Sequence, residues 1–234
     1  MKKIAIIVAG GTGQRMNSAV AKQFLLLQNK PILFHTLRAF KTADPRTELI
    51  VVLPENQIDY WKSLCEKYPE IKLETPHEII NGGETRFHSS KNGLDSITVQ
   101  DDCWVAIHDG VRPLILPSTI NQAYQLAQGK GNCVVSVSSK DSIRMWDASK
   151  NAFKSVLRDD VKIIQTPQIF ELNTLKKAFN QPYSPKFTDD ASVVEANGES
   201  IHLMEGEYTN IKITTPEDLL VAESILEQPK CTYE

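Results

Sequence analysis

The amino-acid sequence predicts an α/β fold in which a mostly parallel β-sheet is flanked by helices on both faces. Short apolar runs of strand length, at 4–9, 48–53, 103–107 and 132–137, alternate with longer segments whose apolar residues recur at helical spacing. The polar clusters of the chain directly follow such runs. This is the pattern expected where parallel strands end together at one edge of a sheet.

Each predicted element has its own sequence signal. The predicted helices lie at 31–40, 57–68, 86–97, 119–127 and 171–179, from Thr188 onward, and at 215–227. Brief extended segments are expected at 71–74, 78–80, 200–204 and 210–213. Ser118 can cap the helix that follows it, and the order Thr215, Pro216, Glu217 is typical of a helix start.

The segment 138–165 departs from this alternation and predicts a protruding hairpin arm. Two strand-like stretches, 140–147 and 155–158, surround a polar turn. Apolar side chains such as Met145 would be exposed on a lone arm, so we expect them to pack on a second copy of the chain. The sequence thus predicts one domain over 1–234, with an arm through which the protein forms a homodimer.

Composition and charge limit the possible partners. The 234 residues are 41% hydrophobic and 24% charged, with a formal net charge of −3, which argues against general nucleic-acid binding. The four cysteines have no zinc-site or Cys-x-x-Cys spacing, which indicates reduced thiols. The six apolar residues after Lys3 predict a strand rather than a signal peptide, and no run approaches the roughly 20 residues of a membrane helix. We therefore expect a cytoplasmic protein that binds no membrane.

The segment 4–23 carries the strongest functional signal, because a buried strand runs into a basic, glycine-rich loop. Its glycines and cations are Gly10, Gly11, Gly13, Arg15 and Lys22. Such a loop lets backbone N–H groups approach an anion and adds two positive charges beside them, so it predicts phosphate binding. Met16 breaks the dinucleotide-binding glycine pattern, and the ending of a P-loop is absent. A tight turn with solvated basic residues is the competing interpretation.

Further polar clusters follow other predicted strands, so we expect them to converge on one crevice. They are Gly82 to Arg86, His108 to Arg112, and Lys212. Gly83, with Ser89 one turn later, allows close approach of a base or ribose, although a plain glycine turn explains it equally well. Asp109 can bind a ribose hydroxyl or help to hold Mg²⁺, or it can simply pair with Arg112. His108 is interpreted as structural.

Together these motifs resemble those of the cytidylyltransferases of sugar-alcohol phosphates, above all the methylerythritol 4-phosphate cytidylyltransferases of the non-mevalonate isoprenoid pathway. The matching segments, which span nearly the whole chain, are Ala9 to Met16, Lys22 and Gln23, Gly82 and Gly83 with Arg86 and Ser89, His108 to Pro113, Gln165 to Gln168, Thr188 to Ser192, Glu205 and Gly206, and Asn210 to Thr214. The resemblance implies a Rossmann-like nucleotidyltransferase fold. It also implies that CTP and an acceptor phosphate react to give a CDP-alcohol and pyrophosphate.

The resemblance further implies roles for individual residues. The catalytic set would be Arg15, Lys22, Arg158 and Lys212. The CTP-binding set would be Ala9, Gly10, Gly11, Thr12, Gly13, Gly83, Arg86, Ser89, Asp109 and Gly110. The acceptor-binding set would be Asp109, Ser142, Arg158, Thr166, Thr188 and Lys212, with Arg158 delivered by the neighbouring subunit. Mg²⁺ or another divalent cation would be held mainly by the CTP phosphates, with Asp109 as its candidate protein ligand.

Other functions are compatible with parts of the sequence. Ser142 stands where the family often has Thr, and Val111 stands where it often has Ala, in a form also found in ribitol 5-phosphate cytidylyltransferases. Ribitol 5-phosphate is therefore the alternative acceptor. A nucleotide-binding regulatory module is a further alternative, but it would not need cations that act only in a transition state. Met16 disfavours an NAD-dependent oxidoreductase.

Overall fold

The computed structural model describes residues 2–11, 20–99 and 102–227. The strands are β1 (Lys2–Val8), β2 (Leu26–Leu27), β3 (Lys30–Pro31), β4 (Glu48–Leu53), β5 (Glu78–Asn81), β6 (Cys103–Asp109), β7 (Asn132–Ser138), β8 (Ile143–Asp147), β9 (Ala152–Val156), β10 (Lys162–Glu171) and β11 (Leu203–Glu205). The helices are α1 (Ile32–Ala43), α2 (Glu55–Lys67), α3 (Glu70–Glu74), α4 (Arg86–Asp95), α5 (Pro117–Lys130), α6 (Leu172–Phe179), α7 (Asp190–Ala196) and α8 (Pro216–Glu227).

Seven of these strands form one sheet in the order β11-β7-β10-β6-β1-β4-β5. The strands β6, β1, β4 and β5 are parallel to one another, and β11 is parallel to β7. The strand β10 runs antiparallel to both of its neighbours, β7 and β6. The predicted mostly parallel sheet is therefore confirmed. The register of β10 shifts between Ile164 and Gln168, a stretch that contains the cis Thr166–Pro167 peptide bond.

The strand β1 lies at the centre of the fold and is buried on both faces. Ala5 and Ile7 pack into the core layer formed with α1, α2 and α5, whereas Ile4 and Ile6 pack into the layer formed with α4, α6 and α7. A strand that is covered on both faces needs apolar residues at every position. This is why the run from Ile4 to Ala9 shows no alternation with polar residues.

Two local expectations are wrong. Residues 70–74 form the helix α3 rather than an extended segment, because the chain turns at Pro69 into a single helical stretch that is too short to show a periodic pattern. Ser118 is not a helix cap, since α5 begins one residue earlier, at Pro117, whose ring already favours the first helical turn. The helices in the described ranges include none that is long and apolar enough to cross a bilayer.

The strands β8 and β9 form a separate antiparallel hairpin, as the sequence predicts. Its large apolar side chains are exposed, Trp146 at 49% and Phe153 at 66%. The hairpin is shorter than the expected 138–165 arm. Ser138 belongs to β7 and residues 162–165 belong to β10, so the two ends of that segment lie in the central sheet.

The helix α4 packs very close to β1 and β4 because Gly93 has no side chain. A Cβ atom added at Gly93 would lie 2.7 Å from Cγ2 of Ile6 and 2.9 Å from Cγ2 of Val52. Both of those side chains are buried in the core. The glycine therefore sets the distance of α4 from the sheet, and with it the position of Arg86 at the start of the helix.

We expect Gly93→Ala to lower the free energy of unfolding by about 1–3 kcal/mol, because the added methyl group overpacks an enclosed site. Urea denaturation followed by circular dichroism measures the change. Gly129→Ala is the matched control, since Gly129 lies in α5 with nothing within 4 Å of an added Cβ. Alanine there should leave stability unchanged or raise it by up to about 1 kcal/mol. Equal stabilities for the two variants would contradict this account of the packing.

Candidate active site

The carboxyl ends of four parallel strands lie side by side at one edge of the sheet. The register pairs Val8 of β1 with both Val52 of β4 and Asp109 of β6, and it pairs Leu53 with Asn81 at the end of β5. The segments that follow β1, β5 and β6 therefore begin at the same level. In parallel sheets this edge is where ligands bind, and the predicted convergence of the polar clusters is confirmed.

A first crevice opens between the segments after β1 and β5. Its described lining contains seven of the ten predicted CTP-binding residues and two of the predicted catalytic lysines: Ala9, Gly10, Gly11, Gly83, Arg86, Ser89, Asp109, Lys22 and Lys212. Thr12, Gly13 and Arg15 lie outside the described residues. Gly110 does not line this crevice; it is buried, and its carbonyl oxygen accepts a hydrogen bond from Thr36 Oγ1 at 3.0 Å.

A second crevice adjoins the first, on the side of β10 and α7. It brings together four predicted acceptor-binding residues: Asp109, Thr166, Thr188 and Lys212. Arg86, Asp109 and Lys212 line both crevices, so these three side chains form their shared boundary. Two binding spaces that meet at a charged boundary can hold two anionic groups next to each other.

The carboxylate of Asp109 lies within reach of three cations. Its Oδ2 is 3.0 Å from Lys212 Nζ and 3.3 Å from Arg112 Nε, and its Oδ1 is 3.6 Å from Arg86 Nε. Burial by itself would raise the pKa of Asp109, but the charges of Arg86, Lys212 and Arg112 outweigh it and hold the pKa well below its ordinary value. The predicted pairing with Arg112 is thus present, and the same carboxylate also lies in the crevice wall.

A buried amide holds the segment that carries Lys212. Asn210 is fully buried, and its Nδ2 donates at 3.0 Å both to Gln165 Oε1 and to the carbonyl oxygen of Thr166. The main-chain carbonyl oxygen of Asn210 accepts from Arg112 Nη1 at 2.8 Å. Because Thr166 Oγ1 in turn accepts from the backbone N–H of Asp109 at 3.1 Å, the segment before Lys212 is tied directly to the end of β6.

The glycine-rich loop is held at its two ends by Gln23. This side chain is fully buried, and its Nε2 donates to the carbonyl oxygen of Ala9 at 2.7 Å. The side chain of the neighbouring Lys22 lies against Gly11, since a Cβ atom added at Gly11 would lie 3.1 Å from Lys22 Cε. The glycine therefore leaves room for the lysine to reach the crevice, as a phosphate-binding loop requires.

Gly83 is required by packing. A Cβ atom added there would lie 2.4 Å from Cβ of His88, inside the first turn of α4. The backbone N–H of Gly83 donates to Ser89 Oγ at 3.1 Å, and Thr85 caps the helix by accepting from the N–H of His88. The close contact with His88 accounts for this glycine without a ligand, which favours the plain-turn interpretation.

Some predicted residues lie apart from both crevices, and others were missed. Ser142 and Arg158 are exposed at the base of the hairpin, where Arg158 Nη1 donates to the carbonyl oxygen of Lys140 at 3.4 Å.

Several residues line the second crevice although the sequence gave them no role of their own. They are Arg112, Ile164, Gln165, Gln168 and Asp189. Most of them lie within the motifs that carry the family resemblance. Those motifs locate the residues in the chain but do not show which way their side chains point.

The side chains at this edge suit a cation that is carried by a nucleotide. The described part of the chain contains no group of three or more His, Cys, Asp or Glu side chains that could hold a metal ion. Asp109 is the predicted ligand, and both of its oxygens already face cations. Mg²⁺ commonly takes one or two carboxylates together with substrate phosphates and water. Mg²⁺ bound by Asp109 would therefore replace one of these ion pairs and would take its remaining ligands from the triphosphate and water.

Comparison with known proteins identifies the family. The family model of 2-C-methyl-D-erythritol 4-phosphate cytidylyltransferase matches residues 3–228. The chain belongs to this family. A cytidylyltransferase of the same name from Bacteroides thetaiotaomicron is 46% identical over 227 residues, which cover 97% of this chain and 100% of that protein.

Solved structures agree with the family membership. The 4-diphosphocytidyl-2C-methyl-D-erythritol synthase of Anaerococcus prevotii aligns with a TM-score of 0.81 at 27% identity, over 97% of this chain and 99% of that one. The 2-C-methyl-D-erythritol 4-phosphate cytidylyltransferase of Francisella tularensis aligns with a TM-score of 0.77 at 30% identity, over 96% and 99% of the two chains. The nucleotidyltransferase fold expected from the sequence is therefore confirmed.

His108 precedes Asp109 but lies inside the protein. The side chain is fully buried with its ring 5.2 Å from that of Phe40, and Nε2 lies 3.3 Å from the carbonyl oxygen of Arg112. Its Nδ1 has no hydrogen-bond partner within the described ranges. Burial lowers the pKa of His108 to about 4. The histidine is therefore neutral at pH 7 and structural, as the sequence predicts.

This burial predicts a loss of stability in mild acid. Between the ordinary histidine pKa of about 6.5 and the folded-state pKa of about 4, the unfolded chain binds more protons than the native protein, so stability falls as the pH is lowered through this window. We expect a loss on the order of 1–2 kcal/mol between pH 7 and pH 5 from this residue. His35 and His77, whose pKa values are also lowered by burial, add to it.

Urea unfolding at both pH values measures this effect. His108→Gln keeps a side-chain donor but cannot be protonated in this range, so its stability should change less between pH 7 and pH 5. An unchanged pH dependence in His108→Gln would show that His108 is not the group that titrates.

Proposed function

We propose that this protein transfers the cytidylyl group of CTP to 2-C-methyl-D-erythritol 4-phosphate. The products are 4-diphosphocytidyl-2-C-methyl-D-erythritol and pyrophosphate, as in the non-mevalonate route to isoprenoids. The observation that carries the proposal is the pair of adjoining crevices whose shared boundary contains Arg86, Asp109 and Lys212. They occur in a chain whose family bears the name of this reaction.

The chemistry matches what these residues can do. An acceptor phosphate oxygen attacks the α-phosphorus of CTP in line, a new P–O bond forms, and the bond to the β-phosphate breaks with release of pyrophosphate. The attacking oxygen is already anionic, so the reaction depends on positioning and on charge neutralisation rather than on a general base. His108 is fully buried, so it is not placed to act as a general base, and the reaction does not need one.

In this proposal the first crevice takes CTP and the second takes the acceptor. Lys22, together with Arg15 of the same loop, neutralises charge on the triphosphate and on the departing pyrophosphate. Lys212 lines both crevices, so it can contact the phosphates of both substrates. Asp109 holds Lys212 in place and is the candidate ligand of a divalent cation, which when bound supplies further neutralisation of the triphosphate.

We also propose that the active form is a cytoplasmic homodimer. The support is the hairpin, which exposes Phe153 at 66% and Leu157 at 75% and would bury them against a second copy. Arg158 directly follows Leu157 in the chain and does not line either described crevice of its own chain. In the dimer Arg158 would bind the acceptor phosphate in the partner's second crevice.

The test of the reaction is a substrate panel in which pyrophosphate release is measured with Mg²⁺. We expect CTP with methylerythritol phosphate to give the highest kcat/KM, above ribitol 5-phosphate as acceptor and above ATP or GTP as donor. Lys22→Ala should lose about 10²–10³-fold in turnover, because a transition-state charge partner is removed. Lys130→Ala, at the exposed end of α5, is the matched control. A preference for ribitol 5-phosphate would reassign the acceptor, and release by Lys22→Ala at the wild-type rate would refute the role of the loop.

The arrangement of the arm is tested by mixing two impaired variants. Arg158→Ala should raise the acceptor KM and leave CTP binding nearly unchanged, because only acceptor positioning is lost. If Arg158 acts across the dimer, a heterodimer with Lys22→Ala has one crevice pair with both lesions and one with neither. Activity should then partly return after subunit exchange.

Subunit exchange itself is followed by mass spectrometry of differently tagged chains. Exchange without any return of activity would show that Arg158 serves its own chain. A monomer in sedimentation at assay concentrations would exclude the dimer altogether.

A further inference from the structure

An ion pair between partly exposed Arg86 and buried Asp190 lies at the boundary between the two crevices. Asp190 is only 1% exposed, and its Oδ2 accepts from Arg86 Nη2 at 2.6 Å. Its Oδ1 accepts from Ser90 Oγ at 2.8 Å. Arg86 and Ser90 are one turn apart on α4, so a single carboxylate holds one side of this helix. A charge-assisted bond with this geometry restricts the guanidinium strongly.

The position of Asp190 is itself fixed by the start of α7. Asp189 caps this helix by accepting from the N–H of Ser192 at 2.9 Å. Gln168 of β10 then donates to Asp189 Oδ2 and accepts from the N–H of Ala191, both at 2.8 Å. The first residues of α7 are therefore tied to the strand that also carries Thr166, and Asp190 has little freedom to move.

Arg86 is held between two carboxylates. Its Nη2 bonds Asp190 on the inner side, while its Nε lies 3.6 Å from Asp109 Oδ1 at the crevice boundary. A free arginine side chain populates many rotamers, and fixing them costs free energy each time a ligand binds. An arginine that is already held in place does not incur this cost when a phosphate arrives.

We propose that Asp190 is a positioning residue that keeps the guanidinium of Arg86 at the boundary of the two crevices, ready for the phosphates of CTP. The inference rests on the proposed function, because CTP is the ligand that Arg86 would meet. Asp190 touches no substrate in this account. It acts only through Arg86.

The charge of Asp190 and its role in positioning Arg86 predict opposite changes in the affinity for CTP. This makes the inference testable. Asp190→Asn removes one negative charge from the site, so by charge alone it would tighten the binding of a triphosphate. If the carboxylate instead positions Arg86, the same change loosens the guanidinium and weakens binding. The direction of the change in affinity therefore separates the two explanations.

The experiment measures binding of CTP with Mg²⁺ by calorimetry, and then kcat and KM, for purified full-length variants whose folding is checked by circular dichroism. We expect Asp190→Asn to raise the Kd of CTP at least about tenfold. Glu195→Gln is the matched control, since it makes the same chemical change at an exposed position of the same helix and should leave the Kd unchanged. An unchanged or lower Kd in Asp190→Asn overturns the inference.

A double-mutant cycle shows whether Asp190 acts through Arg86. In an Arg86→Gln background, Asp190→Asn should weaken CTP binding by less than about twofold, because the group that it positions is already gone. Additive losses overturn the inference, since they would mean that Asp190 acts independently of Arg86. If Asp190→Asn weakened CTP binding through a general loss of packing, the size of its effect would not depend on the presence of Arg86.

Two further outcomes are decided in the same experiment. If Asp190→Asn does not fold, Ser90→Ala carries the test, because it removes one of the two bonds that hold the carboxylate; a raised Kd supports the inference and an unchanged Kd overturns it. If wild-type protein binds no CTP and releases no pyrophosphate, the proposed function fails and the inference fails with it. Wild-type activity with unaltered Asp190→Asn binding refutes the inference alone.

Discussion

The site depends on one electrostatic constraint, the buried carboxylate of Asp109. A carboxylate with 6% exposure requires compensating charge, and it obtains it from Arg86 of α4, Arg112 of the turn after β6, and Lys212 before α8. Two distant segments of the chain, those that carry Arg86 and Lys212, are thereby held at the end of β6 beside the turn that carries Arg112. Two of these cations also line both crevices, so the interaction that assembles the site supplies the positive charge that phosphate substrates need.

The sheet explains why these groups meet. The parallel strands β6, β1, β4 and β5 end at one level, which places the segments that follow them around a common space. The antiparallel strand β10 contributes from its middle, where the register shifts between Ile164 and Gln168. That irregular stretch presents Thr166 to the backbone of Asp109 and Gln168 to the start of α7. One strand thus connects the end of β6 with the start of α7.

Particular elements show how much of the structure can be predicted from the sequence. The strand β1 and the hairpin were predictable because their patterns lie within a few residues, and α3 was not, because five residues are too few for a helical period. Motif matching identified most of the crevice lining. It could not show that packing against His88 also requires a glycine at position 83, because that contact is visible only when the turn is folded.

By itself the sequence determined the alternation of strands and helices over most of the chain, the glycine-rich basic loop and the family resemblance, since all of these are local patterns of residue type and spacing. Only the tertiary structure decided which charges are paired. Asp190 and Arg86 are 104 positions apart, and their contact depends on how α7 and α4 pack against the sheet. The tertiary structure also decided that Arg158 lies outside the crevices of its own chain. The direction in which a hairpin points is set by its surroundings rather than by its own residues.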